Sequence, residues 1–143
     1  MFDIEVCETR RIVLIRFRGV LAESDFAALE ASARRTPAAE RYDCIFDFSH
    51  VESVELATDF VSRRGDLPKA FHHRDRIYVA PHHDLKLLLR LYAAYQAAKG
   101  WREPAVVADL GAALAQFGVT EAEFRRPPAA PREKQIEAIS LSR

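Results

Sequence analysis

A chain of 143 residues, 49% hydrophobic and 29% charged, can enclose one core but is short for two domains, and it lacks the sparse apolar content of a disordered protein. Its 21 basic side chains cancel its 21 acidic ones, which excludes a net field drawing it to nucleic acid or to an anionic bilayer. Cys7 and Cys44 lie in apolar, strand-like segments without CxxC spacing, so a disulfide framework is excluded and both read as buried free thiols.

Phe2, Ile4 and Val6 alternate with Asp3, Glu5 and Cys7, the period of a half-buried strand, and Glu8-Thr9-Arg10 separates them from a second apolar run. An opening hairpin is predicted, with its first strand at the edge of the sheet. Ile12 to Phe17 is apolar at nearly every position and rich in β-branched residues, as a strand covered on both faces would be. Ser24 is predicted to cap a helix that carries Asp25 in its first turn and places Phe26, Leu29 and Ala33 on one face until Pro37. The third strand is predicted over Tyr42 to Phe48. A loop and then a helix of about ten residues follow, the helix starting near Glu55 or Leu56 and burying Leu56, Phe60 and Leu67.

Lys69 to Asp75 reads as a loop carrying His72 and His73. Arg76 to Ala80 is the fourth strand, ended by Pro81, and a helix from Asp84 to Lys99 is stopped by Gly100. Its apolar window, Leu85 to Ala98, is interrupted by Lys86, Arg90 and Gln96 and is too short for the ~20 residues of a membrane span. A short fifth strand, Ala105 to Ala108, leads to a helix capped by Asp109 and closed by Gly118, and Thr120 to Glu123 has capping-box spacing. From Arg125 the prolines at 127, 128 and 131 and five basic residues against Glu133 and Glu137 predict a basic tail, residues 125–143, outside a single domain of residues 1–124. The amino terminus alternates acidic and apolar residues with no secretory pattern, so a cytoplasmic location is expected. The fold class that results is α/β, a mixed, mostly parallel five-stranded sheet with about four helices. Val13, Ile15, Cys44, Phe46, Ile77, Val79 and Val106 are predicted to be buried in it.

Several segments carry a family likeness: Asp47-x-Ser49-x-Val51 after its strand, Val13 to Gly19 running into Val20 and Leu21, RIYVAP at 76–81 and DLGAALAQFGV at 109–119. In this order, over about residues 2 to 120, they resemble the STAS domain of sulphate-transporter tails and anti-sigma-factor antagonists. The likeness is closest to the SpoIIAA-like (STAS/SEC14-type) branch of small bacterial proteins. In antagonists the Asp-x-Ser-x-Val run is followed by Asp-Ser-Ser, whose second serine a partner kinase phosphorylates. Aligned without gaps from Asp47, this chain has Glu55, Leu56 and Ala57 there, so the resemblance implies a module without the phosphoacceptor. The branch's Gly-Leu-Ala-Arg helix pattern reads Leu87, Leu88, Leu89, Arg90.

Asp47, Ser49, His50, Ser53 and Thr58 are the candidate anion or partner site, because a strand end meeting a helix amino terminus is where open α/β sheets bind ligands. The commoner use of such residues is to hold loop amides and cap the helix. No nucleophile motif or second carboxylate accompanies Asp47 and His50, so a non-enzymatic protein is expected and catalysis by that pair ranks third. The five histidines lack the i, i+4 spacing of a chelating helix face, and neither metal nor cofactor is expected. Leu87, Leu88, Leu91, Tyr92 and Tyr95 mark a helix apolar around most of its circumference, to be covered by the core, by a homodimer partner or by an apolar ligand. The leading expectation is a STAS-like regulatory or protein-interaction module, homodimeric and with an unidentified partner. A carrier or sensor of an apolar small molecule or lipid is the alternative.

Overall fold

The computed structural model describes residues 1–34, 41–57, 59–65 and 74–126. Its elements are β1 (Phe2–Cys7), β2 (Ile12–Ala22), α1 (Glu23–Arg34), β3 (Asp43–Glu55), α2 (Phe60–Gly65), β4 (Arg76–Val79), α3 (His83–Ala98), β5 (Ala105–Val107), α4 (Leu110–Phe117) and a 3-10 turn at Glu121–Glu123. The five strands lie in the order β1-β2-β3-β4-β5, with β1 antiparallel to β2 and every other pair parallel. This is the mixed, mostly parallel sheet with an antiparallel first strand at its edge that the hydrophobic periods predict.

Alternation along the strands divides the core into two layers. Val13, Ile15 and Phe17 of β2, Cys44, Phe46 and Phe48 of β3 and Tyr78 of β4 pack with Leu29 of α1 and Leu85 and Tyr92 of α3. Leu14, Ile45, Ile77 and Val79 point the other way, onto Ala113 and Leu114 of α4. Of the seven strand residues predicted to be buried, six are; Val106 is half-buried because β5 is the edge strand.

Local signals in the last third act as predicted. Asp109 Oδ1 accepts from the Ala112 amide at 2.7 Å, Gly118 closes α4 at φ 65°, and the Glu123 carboxylate accepts from the Thr120 amide at 2.6 Å. Phe124 is buried, and Arg125 exchanges two backbone hydrogen bonds with Val6, at 2.8 and 3.0 Å, along the free side of β1. That contact satisfies part of an edge otherwise open to pairing with another chain. The expected tail lies outside the described residues from 127 onward, as do Thr58, Leu67, His72 and His73.

Three local expectations are corrected. Residues 49–55 are not a loop: they continue β3 beside an extended β2, Gly19 pairing with Val51 and Ala22 with Glu55. Parallel pairing to a strand some thirty residues earlier supplies their hydrogen bonds, which their own polar side chains do not signal. The following helix accordingly starts at Phe60 rather than at Glu55 or Leu56 and is described over six residues. Ser24 lies inside α1; at that end it is Asp25 Oδ2 that accepts from the Ala22 amide, at 3.0 Å.

Candidate functional site

β3 does not run in step with β2. Arg16 pairs with Asp47 but Arg18 with His50, and Gly19 pairs with Val51 but Val20 with Ser53, so β3 twice takes one residue more. Gly19 sits between these shifts at φ 69°, where a side chain would be strained. At the first shift Asp47, 2% exposed, accepts on Oδ1 from the Ser49 amide at 2.9 Å and the Ser49 hydroxyl at 2.5 Å. The Asp-x-Ser pair therefore braces an irregular strand from within, the commoner use of such residues. His50 and Ser53 are exposed, with His50 bordering a shallow surface recess beside Asp3, Arg16 and Arg18. Asp47 follows Ile45 onto the α4 face of the sheet, so these residues do not converge on the apolar cavity, which lies on the opposite face.

That cavity lies between the sheet and helices α1, α2 and α3. Phe46, Phe48 and Tyr78 form its floor; Phe26, Leu29 and Ala33 of α1 and Phe60 and Val61 of α2 form two walls. Leu85, Leu88 and Leu89 of α3 form the third, and Leu56 closes the end beyond β3. The cavity volume is about 70 Å³, and the space opens to solvent between the helices. Floor and walls hold their shape through ring contacts, Phe46 to Tyr78 at 4.9 Å and Phe26 to Phe60 at 5.3 Å between centroids. Arg64 lies 4.7 Å above the Phe26 ring and donates to Glu30 Oε1 at 3.0 Å, so a paired charge roofs the apolar walls.

One polar group reaches the cavity from inside the core. Arg76 opens β4 and is 3% exposed; its Nη2 donates to Gln96 Oε1 at 3.2 Å and to the Arg102 carbonyl at 2.8 Å. Its neighbours are phenols. Burial pushes the Tyr78 hydroxyl well above the usual tyrosine range, and it pushes Tyr92 up against the opposing charges of Arg76 and Arg64. The Cys44 thiol is also held well above its ordinary value by burial. Both phenols are thus neutral in the fold and, once unfolded, ionise near pH 10. Because their folded values are raised, the stability they contribute is full below that pH and is lost as pH rises beyond it, where the unfolded chain gives up its protons first. The urea midpoint is expected to hold from neutral pH to about 8.5, where the unfolded Cys44 thiol begins to lose its proton, and then to fall, more steeply beyond about 10 as the two phenols follow. A level profile beyond that point would mean that the two hydroxyls reach water.

The apolar residues of α3 separate into two sets. Tyr92 and Leu88 border the cavity, whereas Leu87 and Leu91, one turn apart, are 51% and 49% exposed, and Tyr95 is half-buried. Nothing in the sequence marks Arg76, Glu30 or Arg64, because a lone arginine opening a strand carries no motif and its neighbours come from α1, α2 and α3. Among the described residues no group of three or more His, Cys, Asp or Glu is placed to hold a metal ion, and no helix is long and apolar enough to cross a membrane.

No family model and no curated protein matches the chain. Among solved structures, the anti-sigma factor antagonist SpoIIAA in its unphosphorylated form is similar, with a TM-score of 0.54 and 14% sequence identity over 81% of this chain and 96% of that one. The α/β fold of SpoIIAA is therefore shown for this chain, in agreement with the resemblance carried by its strand ends.

Proposed function

We propose that this protein is a non-catalytic binding module on a SpoIIAA-type fold, taking an apolar small molecule into the cavity between the sheet and α1, α2 and α3. The observation that carries this reading is the cavity itself. Protein interiors are close-packed and an apolar void costs stability, so a hydrocarbon-lined space opening between three helices is better accounted for by an occupant than by the core alone. Leu56 adds to it: of Glu55, Leu56 and Ala57, aligned with the antagonists' Asp-Ser-Ser, it forms part of the apolar wall. On this reading the input at that end of the sheet is an apolar molecule rather than a phosphoryl group. The test is titration with the neutral dye 1-N-phenylnaphthylamine. Its fluorescence is expected to rise saturably to one dye per chain, and Ala33→Phe, which fills one wall, is expected to abolish the rise while leaving the unfolding midpoint near wild type. Absence of saturable binding, or undiminished binding by a folded Ala33→Phe protein, overturns the proposal.

Leu87 and Leu91 support a second role, self-association. With Ala94 and Ala98 they form an exposed stripe at i, i+4, i+7 and i+11 of α3, the spacing of a helix contact. Light scattering of the wild type is expected to report a dimer at tens of micromolar, and Leu91→Asp a folded monomer. A wild-type monomer at that concentration removes the dimer from consideration and leaves the cavity proposal standing.

A further inference from the structure

We infer that the molecule taken into the cavity is an anionic amphiphile, a carboxylate on an apolar chain, whose head group pairs with the guanidinium of Arg76; this rests on the reading of the cavity as a ligand site. Burying a guanidinium away from water is expensive unless a counter-charge and acceptors accompany it. Four other arginines of this sheet and its helices have such partners: Arg16 meets Glu5 and Glu121, Arg18 meets Asp3, Arg63 meets Glu23 and Asp59, and Arg64 meets Glu30. Arg74, which also has a covered Nε, faces Asp43 at 3.5 Å. Arg76 is more deeply buried than these, yet among the described residues no carboxylate pairs with it and its Nε meets no acceptor.

What Arg76 does have is neutral. The Gln96 amide oxygen and the Arg102 carbonyl both accept hydrogen bonds from Nη2, which anchors the guanidinium against the end of α3 and leaves its full positive charge in place. Helix carbonyls supply partial negative charge there, far short of one unit. The ionisable groups beside it, Tyr78, Tyr92 and Cys44, are kept protonated by the same burial and contribute no anion. Arg76 nonetheless lines the cavity, whose other lining residues are apolar or aromatic except for the paired Glu30 and Arg64. A single negative charge arriving on an apolar tail would meet both requirements at once: the tail fills the space between the helices, and the head neutralises the buried cation through a charge-assisted hydrogen bond. One charge is the match because Arg64, the other cation at the cavity, is already engaged by Glu30.

The experiment compares decanoate with decanol, which share a chain length and differ in head group, as competitors for the neutral dye. Decanoate is expected to displace the dye from wild-type protein at a concentration at least about tenfold lower than decanol. Arg76→Gln is expected to keep dye and decanol binding and to lower decanoate to the level of decanol, whereas Arg76→Lys, which keeps the charge, retains part of the preference. Equal competition by the two compounds in the wild type overturns the head-group inference while the cavity reading stands. A preference that survives in a folded Arg76→Gln protein overturns the assignment to Arg76. If the dye itself never binds, both readings fail together. Should Arg76→Gln not fold, the wild-type comparison and the Arg76→Lys protein decide.

Discussion

Replacing Phe17 with alanine is expected to remove about 3 to 5 kcal/mol of folding free energy, the range for truncating an aromatic side chain in a close-packed core. Phe17 is fully buried on β2 and joins three elements: it stacks on Phe48 of β3 with centroids 4.8 Å apart, on Phe26 of α1 at 5.8 Å, and meets Phe2 of β1 at 5.7 Å. Truncation would empty space among rings held by different strands and a helix, so little of the void can close by relaxation. Phe46, by contrast, borders the cavity, and its truncation enlarges a space already open. Phe46→Ala should therefore cost less than Phe17→Ala. Urea unfolding of the two variants measures the difference, and a Phe17→Ala loss below about 1 kcal/mol would place the stabilising core elsewhere.

Asp47→Ala is expected to cost about 1 to 3 kcal/mol, because it leaves the Ser49 amide and hydroxyl without their shared acceptor at a bulge that has no alternative pairing with β2. Asp47→Asn keeps one side-chain oxygen and should recover most of that loss. The pair also separates a structural from a ligand-binding role for this residue: since Asp47 lies on the opposite face of the sheet from the cavity, Asp47→Asn should bind the neutral dye as the wild type does. Lost dye binding in a folded Asp47→Asn protein would reconnect the Asp-x-Ser motif to the ligand.

What the chain's order of residues determines by itself is whatever local geometry can express. Alternation over Phe2 to Cys7 marks an edge strand, the continuous apolar run from Ile12 marks an interior one, and Asp109 and Gly118 mark both ends of α4, since a cap needs partners only three or four residues away. The order of these elements sufficed for the α/β class and for the likeness to SpoIIAA. Tertiary structure decided the rest wherever the deciding partner is remote. Residues 49–55 become strand because β2 lies alongside them, and Asp47 becomes a brace because β3 takes one more residue than β2 at that point. Arg76 becomes a buried cation at a cavity because Gln96, twenty residues on, and the Arg102 carbonyl draw it beneath α3. Periodicity reports which face a residue takes; the charge and space it meets there are set by side chains from helices that only folding brings together.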